Sequence, residues 1–301
     1  MNIIDLESFV TVVDSGSIVA AAAKLHLTQS AVTRRVQSLE EALGVSLLDR
    51  QTRPLQLTTA GKATYESAKP VLSSVDDLKS AVIHDGEPSG SFRFGVVRGL
   101  GEGVLTGPIE ALTKEFPLLR LQAYSQWSNP LLDKIRARAL DVAAILLPEG
   151  DVPPANIESE FLGKQSFVVV GPKTANRAQP TTLKELSTKG WILSPEGCGV
   201  RSAVESALLH QRLPFQIAVE AEGKDLQLSL VRQGIGLGVV PPQVLHAFPS
   251  RKHLSVIRVK DFAPVQDLWL IRAKHIAQEA RVVKSLRRVL QNFILSGKGK
   301  H

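Results

Sequence analysis

The chain has one cysteine, Cys198, in 301 residues. That excludes an internal disulfide framework and fits a reducing compartment. It has no run of about 18 apolar residues, so no membrane span is expected. The opening MNIIDLESFV carries Asp5 and Glu7 but no basic stretch, which does not read as a secretory signal. A cytoplasmic protein is the expectation. Chemistry-bearing motifs are also missing. The seven histidines show no HxxxH-type spacing, so no metal site is expected. Gly99-Leu100-Gly101-Glu102-Gly103 lacks the GK[ST] ending of a phosphate loop. Gly234-Ile235-Gly236-Leu237-Gly238 is not GxGxxG, and its glycines suit a tight turn into a buried strand. With no catalytic triad, buried-Lys motif or metal cluster, an enzyme is not expected, nor any bound cofactor. There is no internal repeat or low-complexity tract.

Excess of one charge is absent where it would be most suggestive. The net charge is +7. Yet residues 1–90 hold 8 Lys/Arg and 11 Asp/Glu, a net of −3, while residues 251–301 hold 12 and 3, a net of +9. Global basicity therefore marks no nucleic-acid footprint. What matters near the N-terminus is local: Arg34, Arg35, Arg50 and Arg53.

What is present is a pattern over residues 1–61. Ile3, Leu6, Val10 and Val13 predict a helix over 3–14. Ser17 suits the N-cap of a short helix through Leu25, His26-Leu27 a turn, and Thr28 the N-cap of a third helix over 29–42. Val32, Val36, Leu39 and Leu43 form its buried stripe, and Gly44 stops it. At about 100° per residue, Ser30, Thr33, Arg34 and Gln37 then point away from the stripe. Gln29 sits in the first turn. Hydroxyls, amides and one cation are what a base-reading face requires. The plain alternative is a solvated helix surface. Arg34 suits guanine or a phosphate, and Gln29 suits adenine. Arg35, on the flank, suits a backbone contact or a salt bridge.

Val45 to Arg50 and Leu55 to Thr58 read as two short strands with Gln51-Thr52-Arg53-Pro54 at the tip. Arg50 and Arg53 would then reach a minor groove or phosphates, or else pair with Asp49 or Glu40. A long helix is expected over 59–84. Pro70 should kink or split it, at roughly 3 kcal/mol unless compensated. Val71, Val75, Leu78 and Val82 form a seam suited to a second copy.

Residues 85–91, DGEPSGS, read as a linker. Beyond them strand and helix patterns alternate, with candidate strands at 92–97, 120–125, 142–147, 166–171, 191–194, 216–220, 238–240, 254–259 and 267–271. A last helix is expected over 277–295. Such alternation predicts α/β units with largely parallel sheets.

On these residues the chain resembles LysR-type transcriptional regulators over essentially its whole length. The pattern includes Leu6, Phe9, Ser17, Ala21-Ala22, Leu25, Gln29-Ser30-Ala31-Val32, Leu39-Glu40, Leu43-Gly44, Leu47, Arg50, Leu57-Thr58 and Ala60-Gly61. Later matches are Gly90-x-Phe92-Arg93-Phe94-Gly95, Phe116-Pro117, Asp141-Val142-Ala143 and Leu230-Val231-x-x-Gly234-x-Gly236-x-x-Val239-x-Pro241. Leu48 stands where Phe is usual and Thr33 where Ser is common. Tyr124-Ser125-Gln126-Trp127 stands where the family often has Glu-Gly.

The resemblance implies an all-α/winged helix-turn-helix N-terminal domain plus an α/β two-subdomain, periplasmic-binding-protein-like C-terminal domain. The implied divisions are 1–58 for DNA binding, 59–85 for a dimerising linker helix and 86–91 for a hinge. Residues 92–301 would bind effector, with subdomain I at 92–164 and 268–301 and subdomain II at 165–267. Implied partners are double-stranded promoter DNA, a homodimer or homotetramer, RNA polymerase, and a small-molecule effector held between the subdomains.

Loops at strand ends are where α/β folds bind ligands. The candidate effector residues are accordingly Arg98, Gly99 and Leu100; Ser125, Gln126 and Trp127; Ser194, Gly197, Cys198 and Arg201; and Glu222. Arg98 and Arg201 suit a carboxylate, which makes an organic acid the expected class. Trp127 suits ring stacking or partial core burial, and Cys198 a packed residue rather than a redox sensor. The basic end, with Arg281, Lys284, Arg287, Arg288, Lys298 and Lys300, reads as a solvated helix face or a second DNA contact. A solute-binding protein or an α/β enzyme would fit residues 92–301 taken alone, but not residues 1–85.

Overall fold

The computed structural model describes residues 2–49, 56–83, 87–175, 180–272 and 280–296. The chain divides into two compact units, residues 1–86 with 137–139, and residues 87–136 with 140–301.

The first unit comprises α1 (Ile3–Ser15), α2 (Ile18–Leu25), α3 (Gln29–Leu43), β1 (Leu48–Asp49), β2 (Gln56–Leu57) and α4 (Thr59–Ile83). Short polar side chains fix the helix starts. Asn2 accepts the N–H of Ile4, Ser17 that of Ala20 and Thr28 that of Ala31. Each satisfies an N–H that has no partner inside its helix. Gly16 and Gly44, both left-handed, end α1 and α3. Phe9, Val12, Ala21, Val32, Leu39 and Leu47 have no exposed surface and form the core of the three-helix cluster. Ile3 and Leu43, expected within the stripes, are exposed because the helix ends overrun that core. α4 runs through Pro70 as one helix, so of the expected kink or split the split does not occur. Pro70 cannot donate to the carbonyl of Glu66. The Ser74 hydroxyl donates to the carbonyl of Pro70 at 3.0 Å.

In the second unit the order is β3 (Gly90–Val97), α5 (Thr106–Glu115), β4 (Leu119–Gln126), α6 (Ser128–Arg136), β5 (Val142–Pro148), β6 (Glu158–Ser166), β7 (Val168–Pro172), α7 (Leu183–Leu186), β8 (Trp191–Leu193), α8 (Gly199–His210), β9 (Ile217–Glu220), α9 (Lys224–Arg232), β10 (Leu237–Val240), α10 (Pro242–Ala247), β11 (Leu254–Ile257), β12 (Val265–Arg272) and α11 (Ala280–Ser296). They build two five-stranded sheets, ordered β4-β3-β5-β12-β6 and β11-β7-β10-β8-β9.

Both sheets are mixed rather than largely parallel. β3 pairs parallel with β4 and β5, but β12 runs antiparallel to β5 and β6. β8 pairs parallel with β9 and β10, while β7 is antiparallel to β10 and β11. The antiparallel halves arise where the chain crosses between sheets. The two crossings lie side by side, with the N–H of Phe167 donating to the carbonyl of Pro264 at 2.9 Å. Sheet I therefore extends through Ser166 and resumes at Val265, beyond the expected limits of 164 and 268. Within the expected hinge 86–91, Gly90 and Ser91 already belong to β3 and pair with Leu119 and Arg120. α11 returns to pack on α5 and β6 of sheet I.

Phe92, Phe94 and Phe116 are almost fully buried here. Each such burial contributes roughly 1.5–3 kcal/mol. Arg93 of β3 and Asp141, just before β5, form a part-buried ion pair, and the Asp141 carboxylate also accepts the N–H of Arg93 at 2.6 Å. A side chain at Gly95 would overlap Leu131 of α6, so this glycine permits close packing of helix on sheet.

Candidate functional site

α3 buries Val32, Val36 and Leu39 against α1 and α2. That choice of face fixes the opposite one. Gln29, Ser30, Arg34 and Gln37 are exposed, and Thr33 is half-buried beside them. Two hydroxyls are held by their own helix. Thr33 donates to the carbonyl of Gln29 at 2.9 Å, and Ser30 lies 3.0 Å from the hydroxyl of Thr28. Both oxygens keep lone pairs to accept from a base amino group. Arg35, on the flank, reaches the Ser8 hydroxyl of α1 at 3.5 Å. The wing follows directly: Leu48 and Asp49 pair with Leu57 and Gln56. Arg50 and Arg53 lie outside the described residues. Glu40 ties wing to helix, accepting the N–H of Leu47 at 2.7 Å. The N-terminus of α4 closes on the same strand so tightly that any side chain at Gly61 would overlap the carbonyl oxygen of Leu47.

In the second unit, the strand-end loops of the two sheets meet. Arg98 leaves β3 with its guanidinium over the indole of Trp127, 5.5 Å from the ring centre. One nitrogen donates to the carbonyl of Ser125 at 3.3 Å, and another lies 3.1 Å from the carboxylate of Glu222 in the loop after β9. Arg98 thus joins sheet I to the β9–α9 loop. Gly197 lies beside Trp127, where a side chain would make ordinary contact with the indole at 3.5 Å. A side chain at Gly101 would strike Val244, and one at Gly199 the amide of Gln266. Glycines at 101 and 199 therefore let the two walls approach.

Three comparisons bear on what this arrangement is. The family model described as "Bacterial regulatory helix-turn-helix protein, lysR family" matches residues 3–62, and that described as "LysR substrate binding domain" matches residues 85–293. The chain belongs to the LysR family of transcriptional regulators. Two curated LysR-type relatives resemble it along nearly their whole length. The nitrogen assimilation regulatory protein nac of Escherichia coli K12 is 27% identical over 290 residues, covering 95% of this chain and 94% of that one. The HTH-type transcriptional regulator YeiE of the same strain is 28% identical over 279 residues, covering 92% and 93%. Among solved structures, full-length OxyR from Pseudomonas aeruginosa superposes with a TM-score of 0.73 at 22% identity, covering 97% and 98%. Full-length CbnR in complex with its target DNA gives 0.67 at 22%, covering 96% and 100%. These likenesses show a shared fold.

Within this LysR-family frame, the expected cleft residues separate into two groups. Arg98, Trp127, Gly197 and Glu222 stand together at the meeting of the walls. Leu100 does not: its side chain is wholly in the core, because the turn after β3 folds it inward. Cys198 is likewise buried within the core. Gly99 is buried against Leu146. Arg201 is not a free cation: it pairs with Glu220 and donates to the carbonyl of Ser194, both in its own subdomain, and is only 13% exposed. Ser125 offers its carbonyl to Arg98. Gln126 is half-buried, and its side-chain oxygen has no donor among the described residues.

Sequence reasoning overlooked a buried polar chain behind this cleft. The Lys224 ammonium donates to Gln227 at 3.0 Å, and Gln227 donates to the Ser194 hydroxyl at 2.9 Å and to the carbonyl of Ala221 at 2.7 Å. A lysine directly after a strand-end glycine was the available signal. The partner three residues on was visible only as one turn of helix. At the basic end three described cations stand near carboxylates: Arg281 near Glu87, Arg287 with Glu160 and Arg288 with Glu115. Lys298 and Lys300 lie outside the described residues. No described helix is long and apolar enough to cross a membrane, and the described residues hold no metal-binding cluster.

Proposed function

We propose that the chain is a sequence-specific DNA-binding regulator, with α3 entering the major groove of double-stranded promoter DNA and the wing lying on the adjacent backbone. One observation carries this reading: an exposed polar face, Gln29, Ser30, Thr33, Arg34 and Gln37, stands beside the β1–β2 hairpin on a rigid three-helix base. Such a face matches the donors and acceptors of base edges. The CbnR structure, a complex with its target DNA, supports the same use of the fold. α4 joins two copies through its exposed seam, giving a homodimer or a homotetramer in the cytoplasm that contacts RNA polymerase at the promoter.

The mechanism involves no turnover, and the protein is not an enzyme. A small molecule between the subdomains favours one arrangement of the oligomer by its differential affinity for the two. Arg98 at the cleft, the cation left half-exposed, points to an organic acid. A gel-shift assay with DNA upstream of the protein's own gene tests the reading. The expected result is saturable, sequence-dependent binding that weakens steeply with salt. Equal affinity for scrambled DNA of the same length would overturn it.

A further inference from the structure

We propose that Glu222 is a built-in competitor for the cleft's anion site: its carboxylate occupies Arg98 until an effector carboxylate displaces it, and that exchange is the switch. The inference rests on the effector-cleft reading above.

The argument begins with the donors of Arg98. One terminal nitrogen is on the Ser125 carbonyl at 3.3 Å and the other on Glu222 at 3.1 Å. A carboxylate that binds a guanidinium through two parallel bonds needs at least one of those nitrogens. Ser125 sits in β4, held along its length by β3, and cannot retreat. Glu222 sits in the loop between β9 and α9, next to Gly223, whose φ of 85° lets the chain turn. It is also the more exposed partner, 62% against 30% for Arg98. Glu222 is therefore the group that yields. Exposed ion pairs are weak, so a modest ligand concentration suffices to break this one.

The exchange has a structural consequence. While Glu222 holds Arg98, it bridges sheet I to the β9–α9 loop of the other subdomain. A bound carboxylate would face Glu222 as a like charge, and the bridge becomes a repulsion. The Glu222 side chain must then turn away from Arg98, because Ala221 and Gly223 on either side of it are held by hydrogen bonds to Leu193 and Gln227. α9 itself stays fixed, because Lys224 and Gln227 anchor its first turn through Ser194 and Ala221. The ligand class that fits is a small carboxylate with a flat apolar body to lie near Trp127.

The test uses the full-length protein with benzoate and succinate as probes, each against its neutral amide, by calorimetry and thermal shift. Glu222→Gln removes the competing charge and keeps the shape. It should bind at least one carboxylate about two- to five-fold more tightly than the native protein, and neither amide. Arg98→Ala should abolish binding, with Arg98→Lys as a folded control that retains it weakly. Equal affinity in native and Glu222→Gln proteins, lost in Arg98→Ala, would remove Glu222 as competitor and leave the cleft reading standing. Binding that persists unchanged in Arg98→Ala would place the site elsewhere and overturn both. Failure of Glu222→Gln to bind either carboxylate would overturn the proposal.

Discussion

Glu40, in the last turn of α3, accepts the main-chain N–H of Leu47 at 2.7 Å and approaches that of Leu48 at 3.3 Å. One carboxylate thereby fixes the angle between the proposed recognition helix and the first wing strand. Glu40→Ala leaves those N–H groups without this acceptor in a half-buried setting, at a cost of about 1–3 kcal/mol. Glu40→Gln keeps one oxygen and should fall between. Urea melts of the full chain measure the loss, and DNA affinity should fall with it. A Glu40→Ala protein that melts like the native one would show that the strand is held by packing alone.

The polar face of α3 separates binding from folding. Thr33→Ala removes a hydroxyl bonded only to its own helix, and alanine is the better helix former, so stability should hold. Affinity for specific DNA should fall by roughly 1–3 kcal/mol if the oxygen meets a base. Arg34→Ala distinguishes the two roles open to a cation. A base contact gives a loss confined to one base pair. A phosphate contact gives a uniform loss and a salt slope shallower by about 0.9. Specific binding unchanged in both variants would remove this face from the interface.

The reach of sequence reasoning tracks the range of the interactions involved. Ser17, Thr28 and Gly44 mark helix ends by bonds within a few residues, and Val32, Val36 and Leu39 mark a face by period alone. Apart from exposed Leu43, the ends and buried face of α3 were therefore local and readable. β6 was not: four of its nine residues are charged or amide, and its pattern of burial is set by an edge position beside β12, about a hundred residues later. The same holds at the cleft. Arg98 and Glu222 were each visible as strand-end charges, but their pairing depends on two sheets meeting. Arg201 looked equally available until Glu220, on the neighbouring strand, claimed it.

α4 exposes Val71 and Leu78, the latter 67% exposed, seven residues apart on one seam. That spacing repeats every two helical turns, which suits a packed pair of helices. Leu78→Glu places a charge on the seam and should lower the mass measured by light scattering by half or more. Promoter affinity should fall in parallel, since paired half-sites need paired proteins. An unaltered mass would put the oligomer contact elsewhere.

Glu115, at the end of α5, is held to α11 by two donors. The Ser285 hydroxyl lies 2.6 Å and the Arg288 guanidinium 3.0 Å from the same carboxylate oxygen. The hydrogen bond from Ser285, then the charge of Arg288, stabilise the ionised form and hold its pKa below the ordinary 4.5. A carboxylate depressed in the folded state contributes stability above its unfolded value and loses it as pH falls through the folded one. Ser285→Ala should raise the Glu115 titration toward 4.5, leaving Arg288 to hold it partly down. The stability gap between native and Ser285→Ala proteins should then be full at pH 7 and narrow as the carboxylate protonates below 4.5. Denaturant melts across that range decide the matter. A gap independent of pH would mean that buried Ser285 acts by filling space, not by binding the carboxylate.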